Sequence, residues 1–547
     1  MKKIIFILFL FQAAACKLST NADESNMDEI FKAFNTGSGP GCAIAVIQNG
    51  RTLFKKGYGL ASLEYQVPIS TSTVFDICSL SKQFTGFAIS TLVEEKKIAL
   101  DDDIRKYLPD LPDFGKRISI RQLLHHTSGL RDWPETLSFG GWKWEDGFSY
   151  SDIMNLVKHQ KELDFEPGSA FDYSNTGYNL LAAVVAKVSG KSFVAWTDER
   201  IFIPLHMHHS HFMENYRQVI KNMAYSYERS GNGFQRVPSN LSAYGSSSLF
   251  TSIDDLSRWA NHLQRALAKN DPVFKRMVEE GMLNSGEKVH YGFGLAPGSY
   301  RGLNTISHTG GWAGYRSATT YFPDQQISIL SLSNSAEFDP SINYKVADVF
   351  LKKWLKAPEN TTPSAENKIK EVKVDSATAA AYVGHYKLHA GWILNITLEQ
   401  GQLMTQATNE DKFPMIASSD SSYWIPAYQA YMTFRRDPDG LVNQLEYKNM
   451  KAPRIHPYFP TGAEMHAYSG IFYSEELASE YLIDMQDGKL WIHQRRLGDF
   501  ELQPEETGSF SSSLGSLQFF RDQAGAIAGF RLSGGRVKNL LFVKRPS

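Results

Sequence analysis

The sequence predicts an α+β domain followed by two small antiparallel β modules. Strand-like segments lie near both ends of residues 27–355, and amphipathic helical segments lie between them. Residues 358–373 replace this apolar pattern with Pro, Asn, Thr, Ser, Glu and Lys, which is typical of a linker. Beyond that stretch helical periodicity nearly disappears and short alternating runs take over, so the tail is predicted to be all-β.

The elements of the first domain, residues 27–355, follow from local signals. An apolar run that ends at the Asn49-Gly50 turn is typical of a buried strand leading into a hairpin. Apolar residues at helical spacing begin just after Ser79 and recur twice later in the domain. In chain order, the predicted elements are strands 42–48 and 51–56, the helix after Ser79, helices 178–188 and 253–267, and strand 327–332.

The tail that follows the predicted linker, residues 356–374, contains an internal repeat. The segments YVG at 382–384, GQL at 401–403 and FRRDPDG at 434–440 are echoed by YSG at 468–470, GKL at 488–490 and FFRDQAG at 519–525. The glycines of these segments lie 17 and 39 residues apart in the first copy and 18 and 37 in the second. We therefore expect two tandem β-barrels, residues 375–457 and 464–547, each closing its own sheet to remove exposed edges.

Composition excludes several protein classes. The chain has 547 residues, of which 42% are hydrophobic and 21% charged, so it can bury a core. Its 57 Lys and Arg against 58 Asp and Glu argue against a nucleic-acid partner. Its three cysteines exclude a disulfide scaffold and a cysteine-rich metal site. Cys42 and Cys78 are interpreted as isolated small hydrophobes, although a disulfide would depend on distances that a sequence does not contain.

The first residues are typical of an export signal. Two lysines precede an apolar run of eight residues, which as a helix would rise about 12 Å against the roughly 30 Å of a bilayer core. Residues 1–15 are therefore predicted to be a signal peptide, and residues 16–26 a polar tether. The alanines before Cys16 resemble a bacterial lipobox, although ordinary cleavage after Ala15 fits them as well. We expect export to a bacterial periplasm or cell envelope, with Cys16 as a possible lipid anchor and no other membrane contact.

The strongest chemical signal is the segment Ser79-Leu80-Ser81-Lys82 at the start of a predicted helix. Residues three apart share a helix face, so the Lys82 amine can lie beside the Ser79 hydroxyl. A desolvated lysine with a lowered pKa can accept the proton of a serine and make it nucleophilic. Taken alone, S-x-x-K is common enough that a helix cap and a surface lysine would be the better explanation.

Two further motifs follow along the chain, Tyr173-Ser174-Asn175 and His308-Thr309-Gly310-Gly311. The three motifs in this order resemble the serine β-lactamase and penicillin-binding protein superfamily. The segments LLHHTSG at 123–129, SLFTSIDDL at 248–256 and YGFG at 291–294 are similar to its class C-like branch, which includes D,D-carboxypeptidases, D-aminopeptidases and esterases.

The resemblance covers residues 30–355 and implies a β-lactamase/transpeptidase-like fold, an antiparallel sheet flanked by helices with a helical subdomain. Two barrels after such a domain resemble the lipocalin-like barrels of D-aminopeptidases. They either stabilise or dimerise the protein, or place a loop over the cleft that restricts substrates.

The resemblance also implies roles for the motif residues. Ser79 would attack the substrate carbonyl, while Lys82 and Tyr173 would accept and relay its proton, with Tyr173 activating the deacylating water. Asn175 would orient Lys82 and the substrate. The backbone N–H groups of Ser79 and Gly311 would form the oxyanion hole.

The strand residues His308, Thr309 and Gly310 are expected to bind and orient substrate. β-Lactamases usually carry lysine at the His308 position, and a histidine is neutral for much of the time near pH 7. The resemblance therefore implies acyl-enzyme chemistry with weak or no β-lactamase activity.

Other signals are weaker. The histidines at 206, 208, 209 and 211 lack a carboxylate or cysteine at metal-ligand spacing, so no metal site is expected. The segment GKS at 190–192 lacks the first glycine of a phosphate loop, because residue 185 is valine. His125 and His126 are expected to hold a loop near the site. Trp133, Trp142 and Trp144 form either a cleft wall or an ordinary packed loop.

The sequence and the resemblance together indicate an exported serine hydrolase that cleaves an amide or ester through an acyl-enzyme on Ser79. D-Amino-acid peptides or amides and simple esters are the implied substrates, and no cofactor is expected. The alternative is a penicillin-binding sensor or cell-wall-binding protein that acylates and hardly turns over. A catalytically dead scaffold is disfavoured, because every required residue type is present. The expected partner is a small-molecule or peptide substrate.

Overall fold

The computed structural model describes residues 21–357, 371–389, 391–408, 410–448 and 450–546. The predicted signal peptide, Cys16 and most of the predicted linker lie outside the described residues. Within the predicted polar tether, residues from Asn21 onward belong to the helix Asn21–Ile30.

An antiparallel sheet of six strands forms the centre of the first domain. The strand Cys42–Gln48 lies inside it, between Ile327–Ser333 and Arg51–Tyr58. Its alternate residues face opposite sides, so Ala43, Ala45 and Ile47 join one hydrophobic core and Cys42, Ile44 and Val46 join another. Burial on both faces explains why this strand is an uninterrupted apolar run. In spatial order the strands are Ala296–Tyr300, Leu303–Trp312, Tyr315–Phe322, Ile327–Ser333, Cys42–Gln48 and Arg51–Tyr58.

Helices cover both faces of this sheet. Asn21–Ile30 and Ile342–Phe350 pack together on one face, and Ile253–Ala268 packs on the other. Lys82–Glu94 and Asn175–Ser189 pack against each other in the main core. The remaining α-helices of this domain in the described residues are Ile120–Leu124, Trp133–Phe139, Tyr150–His159, Phe193–Thr197 and Pro272–Met277. This mixed architecture confirms the predicted α+β fold.

Short strands complete the domain around the central sheet. Val74–Asp76 and His211–Phe212 flank Leu249–Ser252, and this small sheet lies directly before the turn that carries Ser79. The other short strand pairs are Leu60–Ser62 with Val67–Pro68, Tyr227–Ser230 with Gly233–Arg236, and Gly281–Met282 with Lys288–Val289.

The first C-terminal module begins with the helix Ser376–Tyr382 and continues as a nine-stranded antiparallel sheet. Its two edge strands, Lys412–Pro414 and Ile416–Ala417, are consecutive in the chain and joined only by Met415. The sheet therefore curls until its edges meet at one segment, which gives a nearly closed barrel. The other strands are Gly384–His389, Trp392–Glu399, Gln402–Ala407, Ser422–Ile425, Ala430–Arg436, Val442–Tyr447 and Met450–Ile455.

The second module repeats this plan and closes completely. The short helix Gly462–His466 leads into a closed barrel of eight strands. Tyr382 and Tyr468, the tyrosines of the repeated segments, occupy equivalent buried positions in the two barrel cores. The strands are Gly470–Ser474, Ser479–Gln486, Lys489–Gln494, Gly498–Glu506, Ser509–Ser512, Gly515–Arg521, Ile527–Gly534 and Val537–Lys544.

The second barrel packs directly on the first domain. The Phe139 side chain belongs to the hydrophobic core of that barrel, and the Phe139 carbonyl accepts a hydrogen bond of 2.8 Å from the Tyr481 hydroxyl. Arg531 forms an ion pair with Glu162, and the Lys538 N–H donates to Asp164 at 2.9 Å. These contacts bring one hairpin of the barrel, centred on Gly535, to the region that carries the catalytic motifs.

The described residues include both remaining cysteines and the helices of the first domain. Cys42 and Cys78 are buried free thiols, as expected. Of the helices in the described part of the chain, none has by itself the length and apolar content to cross a bilayer, and only the pair Asn175–Ser189 and Phe193–Phe202 reaches them jointly, with a 77° bend between its halves.

Candidate active site

Ser79 lies in the 3-10 turn Cys78–Ser81, immediately before the helix Lys82–Glu94. It is half-buried, whereas Cys78, Leu80 and Ser81 are buried. The strand Leu303–Trp312 packs against this turn at Gly310, where an added Cβ would lie 2.5 Å from the Ile77 carbonyl oxygen. Only glycine permits this approach, so the residue type at position 310 places the strand beside the nucleophile.

Lys82 is buried one helical turn after Ser79, as the S-x-x-K spacing predicts. Its Nζ donates to the Ser79 Oγ at 3.1 Å, to the Asn175 Oδ1 at 2.7 Å and to the Ser246 carbonyl at 2.8 Å. Burial lowers the pKa of Lys82 to about 7, against an opposing contribution from Asp132. A substantial fraction of this amine is therefore unprotonated at neutral pH and can accept the Ser79 proton.

Tyr173 lies over the same amine. Its ring centroid is 4.7 Å from the Lys82 Nζ, and its buried hydroxyl makes no hydrogen bond to a described residue. Burial raises the pKa of the Tyr173 phenol well above its usual value, and the nearby Ser79 hydroxyl offsets only part of that rise. The phenol is consequently protonated at neutral pH and can donate a hydrogen bond.

Asn175 is the first residue of the helix Asn175–Ser189, and the side chain of Asp132 holds it in place. Its side-chain oxygen accepts from Lys82, while its backbone N–H and its Nδ2 donate to Asp132 at 2.6 Å and 2.9 Å. The side chain of Asp132 is only 1% exposed. Asn175 therefore links Lys82 to the buried Asp132 behind it.

Arg536 reaches this site from the second barrel. Its Nη1 donates to the Asp132 Oδ2 at 2.7 Å, and its guanidinium lies 5.0 Å from the Tyr173 ring centroid. It follows Gly535, whose φ of +54° and missing side chain let the hairpin turn lie against Glu135. A residue more than 350 positions from Tyr173 in sequence thus joins the catalytic cluster.

A cavity of about 200 Å³ opens in front of Ser79. Gly311 lines it, which places the predicted oxyanion-hole residue next to the nucleophile. His308, Thr309 and Gly310 lie outside the cavity lining: His308 and Gly310 are buried and Thr309 is exposed. The lining comprises Ser79, Trp133, Pro134, Glu135, Trp144, Tyr173, Asn175, Leu241, Ser246, Ser247, Gly311, Trp312 and Arg536.

His308 is neutral in this structure. Its Nδ1 lies 2.7 Å from the Thr309 carbonyl, and its Nε2 lies 2.8 Å from the Tyr291 hydroxyl. This pattern fits a ring that donates through Nδ1 and accepts through Nε2. Burial lowers the pKa of His308 to about 3, and the charge of Lys82 acts in the same direction. Position 308 therefore carries no fixed positive charge.

The two histidines of the LLHHTSG segment hold loops near the site, as expected. The His126 Nδ1 accepts from the Ser174 N–H at 3.1 Å, and its ring centroid lies 4.2 Å from that of Tyr173. The His125 Nδ1 lies 2.8 Å from the Tyr291 carbonyl, in a different loop. Burial lowers the pKa of both histidines, so both rings are neutral, and His126 is the one that supports the tyrosine.

The tryptophan segment contributes both a wall and a packed core. Trp133 is buried, whereas the Trp144 side chain is 59% exposed, and both line the cavity. Trp144 packs edge-on against Trp312 at 5.0 Å, and these two residues also border an adjoining cleft of about 700 Å³. The floor beside Ser79 is thus aromatic and continues into a larger groove.

Glu135 supplies a carboxylate to the same cavity. Its Oε2 is buried without a hydrogen-bond partner among the described residues. Burial raises the pKa of Glu135 to about 7, and the negative charge of Asp132 acts in the same direction. No group of three or more His, Cys, Asp or Glu side chains in the described ranges is arranged to hold a metal ion.

Sequence reasoning missed several contributors to this site, among them Asp132, Glu135, Ser246, Trp312 and Arg536. Asp132 and Glu135 follow the LLHHTSG segment closely, so an extension of that motif could have included them. Trp312 directly follows the His-Thr-Gly-Gly segment. Arg536 has no local signal, because only the docking of the barrel brings it to the cavity.

Comparison with known proteins identifies the family of the first domain. Residues 27–350 match the Beta-lactamase family, and residues 368–458 match a domain of unknown function, DUF3471. Penicillin-binding protein 4* of Bacillus subtilis is 27% identical over 74% of this chain and 92% of its own length. D-aminopeptidase of Brucella anthropi is 23% identical over 89% of each chain.

A solved structure shows the same fold. The octameric penicillin-binding protein homologue from Pyrococcus abyssi has a TM-score of 0.55 and 20% identity, covering 87% of this chain and 98% of its own. The chain therefore belongs to the Beta-lactamase family and is a serine hydrolase related to D-aminopeptidases and penicillin-binding proteins.

Proposed function

We propose that this protein is an exported hydrolase that removes an amino-terminal D-residue from small peptides or amides through an acyl-enzyme on Ser79. The observation that carries this proposal is the buried Lys82 amine, 3.1 Å from the Ser79 Oγ and with a pKa of about 7. Such an amine can take the serine proton at neutral pH without a histidine. Simple esters with the same acyl group would enter the same reaction.

Acylation begins when Lys82 Nζ takes the Ser79 proton and the Ser79 Oγ bonds to the substrate carbonyl carbon. The negative charge passes to the carbonyl oxygen, which the N–H groups of Ser79 and Gly311 stabilise. The carbon–nitrogen bond then breaks as the amine receives the Tyr173 proton, which the Lys82 ammonium replaces. In deacylation Lys82 takes a proton from water and the hydroxide attacks the acyl carbon. The bond between that carbon and the Ser79 Oγ then breaks as Ser79 recovers its proton from Lys82, which releases the acid.

Glu135 supports an amino-terminal substrate. A buried carboxylate oxygen without a partner is costly, and a substrate ammonium in the cavity would satisfy it. The ammonium would also favour the ionised form of Glu135. The relatives that are D-aminopeptidases are consistent with this class of substrate.

The neutral His308 supports weak or absent β-lactamase activity. A lysine at this position would offer a fixed charge to the carboxylate of a β-lactam, whereas His308 stays uncharged down to a pH of about 3. Arg536, the cation that does line the cavity, is already paired with Asp132.

A substrate panel tests the proposal. D-Alanine and D-phenylalanine p-nitroanilides, the corresponding L-compounds, nitrocefin and p-nitrophenyl acetate would be compared at several enzyme concentrations, with Ser79→Ala as control. We expect repeated turnover of the D-anilides, little hydrolysis of nitrocefin, and no activity in the S79A variant. Equal rates for D- and L-anilides, or nitrocefin as the best substrate, would contradict the proposed function.

Glu135→Gln tests the assignment of the substrate ammonium. The variant should raise KM by about 10- to 100-fold for free amino-terminal D-anilides, because a hydrogen bond to a charged group contributes roughly 1.5–3 kcal/mol. The N-acetylated anilides, which carry no ammonium, should keep the KM of the unmodified enzyme. A parallel loss on both substrate series would mean that Glu135 does not bind the ammonium.

Slow turnover is the alternative function, and the protonated Tyr173 phenol favours it. A phenol that holds its proton at neutral pH cannot itself activate the deacylating water. If Lys82 does not replace it in that step, the acyl-enzyme accumulates and the protein acts as a sensor or cell-wall-binding protein. A single burst of product equal to the enzyme concentration would support this alternative, and steady turnover would exclude it.

Export is part of the proposal and rests on the sequence of residues 1–16. Globomycin sensitivity of processing, together with labelling by a fatty-acid analogue, would distinguish lipidation of Cys16 from ordinary signal cleavage. A mature protein without lipid on Cys16 would remove the membrane anchor from the proposal and leave export intact.

A further inference from the structure

We infer that Arg536, which the second barrel supplies, is a positioning residue that keeps Lys82 in its proton-accepting form through Asp132 and Asn175. The inference rests on the proposed role of Lys82 as the proton acceptor. It assigns to the second barrel a direct part in the activation of Ser79, in addition to any effect on substrate access.

A continuous chain of hydrogen bonds carries the argument. The Arg536 Nη1 donates to the Asp132 Oδ2 at 2.7 Å, and the same oxygen accepts from the Asn175 Nδ2 at 2.9 Å. The Asn175 Oδ1 in turn accepts from the Lys82 Nζ at 2.7 Å. The orientation of the amide is thereby determined at both ends, so Asn175 presents its oxygen and not its nitrogen to the lysine.

The charges along this chain oppose one another. The negative Asp132 favours the ammonium form of Lys82, whereas the positive Arg536 favours the free amine. Asp132 is almost fully buried, so water does little to screen it, and Arg536 is the cation that pairs with it. Without Arg536, an uncompensated carboxylate would face Lys82 and hold a proton on it.

Other ionisable groups around Lys82 do not replace this effect. His126 and His308 are neutral, and the Cys78 thiol and the Tyr173 and Tyr178 phenols keep their protons because burial raises each pKa. Glu135 lines the same cavity and adds negative charge when it is ionised. Arg536 is therefore the cation that balances the two acidic residues of the site.

The position of Arg536 depends on the docked barrel. The hairpin between the strands Ile527–Gly534 and Val537–Lys544 turns at Gly535, where an added Cβ would lie 3.0 Å from the Glu135 Cγ. Flanking contacts hold the hairpin, with Arg531 paired to Glu162 and the Lys538 N–H bonded to Asp164. Arg531 belongs to the same interface without touching Asp132, and it provides a matched control.

The experiment measures the rate of Ser79 acylation by p-nitrophenyl acetate against pH, in the full chain. This activated ester requires only the nucleophile and its base, so it is independent of the proposed D-substrate. Arg536→Gln should move the acid limb of the rate–pH profile to a pH about one unit higher. The acylation rate of the variant should then be about tenfold lower than that of the unmodified protein below pH 7 and equal to it above pH 9. Arg536→Lys, which keeps the charge, should retain the original limb.

Two further variants separate this effect from loss of docking. Asp132→Asn removes the negative charge and should move the limb downward, opposite to the shift of R536Q. Arg531→Gln breaks an interface ion pair and should leave the limb in place. Opposite shifts from the two partners of one ion pair cannot arise from detachment of the barrel.

The outcomes are distinguishable. The inference would be overturned if the acid limb of R536Q coincided with that of the unmodified protein. It would also be overturned if the limb of R531Q shifted as far as that of R536Q. Either result would leave the proposed function intact. An unmodified protein whose Ser79 is not acylated would contradict the proposed function and the inference together.

Discussion

At the scale of single residues, the site depends on a lysine that the fold has desolvated. In its ammonium form, the buried Lys82 donates its three N–H groups to Ser79, Asn175 and Ser246. Its pKa of about 7 places the change between ammonium and amine within the physiological range. A surface lysine with the same sequence spacing would remain protonated and could not act as a base.

The first prediction concerns pH. Lys82 must lose its proton to accept one from Ser79, so kcat/KM should rise with pH up to about 7 and then level off. Lys82→Arg, which stays charged at all accessible pH, should lower kcat/KM by at least ~100-fold. Steady-state kinetics between pH 5 and 9 measures both. A profile that is flat across pH 5 to 8 in the unmodified enzyme would show that another group is the base.

At the scale of elements, the contact between one strand and one turn determines the geometry of the nucleophile. The strand Leu303–Trp312 crosses the turn that holds Ser79, and Gly310 is the contact point. An added Cβ would lie 2.5 Å from both the Ile77 carbonyl oxygen and the Ser317 Oγ. Backbone on one side and a packed strand on the other leave no room for the turn to relax.

The second prediction is that Gly310→Ala impairs catalysis more than folding. The added methyl group should displace the turn of Ser79, lower the acylation rate by more than tenfold, and destabilise the protein by about 1–3 kcal/mol. Gly298→Ala in the neighbouring strand Ala296–Tyr300 is the control, since its Cβ would meet only the Thr305 hydroxyl at 3.3 Å. Acylation kinetics and thermal unfolding of both variants provide the comparison. Equal acylation rates in the two variants would refute the proposed contact.

At the scale of the whole molecule, charged residues buried between the first domain and the second barrel hold the two together. The Arg131 side chain is 2% exposed, and its Nε lies 3.5 Å from both Asp164 and Glu476. Glu476 belongs to the barrel and also accepts the Lys161 N–H at 3.2 Å. Glu476 is the partner of Arg131 that comes from the barrel, so its removal leaves Arg131 paired only within the first domain.

The third prediction compares two adjacent glutamates. Glu476→Gln should weaken docking of the second barrel by about 1–3 kcal/mol, because it removes one of the two carboxylates that pair with Arg131 in a buried position. Glu475→Gln removes only an exposed ion pair with Lys161 and should change stability by less than about 0.5 kcal/mol. Thermal unfolding would show the difference as a lower first transition in E476Q alone. Identical melting curves for the two variants would mean that Arg131 does not hold the barrel in place.

The sequence by itself determined the parts of this protein that rest on local periodicity and short spacing. The apolar run at 42–48, the helices after Ser79, after Tyr173 and at 253–267, and the repeated barrel segments all occur where the pattern placed them. Ser79 and Lys82 meet because they lie three positions apart in a turn that leads into a helix, and that distance is local. The fold class therefore follows from local patterns, and the family resemblance follows from short motifs and their order along the chain.

Only the tertiary structure decided which distant residues complete the site. Glu135 became a cavity residue and Asp132 a partner of Asn175 because of how the segment after LLHHTSG folds, and Arg536 joined them from a barrel whose docking leaves no periodic trace in the sequence. The same holds for the pKa of Lys82 and for the neutrality of His308, because burial is a property of the packed chain. A sequence pattern records which face of an element is apolar, whereas the desolvation and pairing of a charge depend on everything that surrounds it.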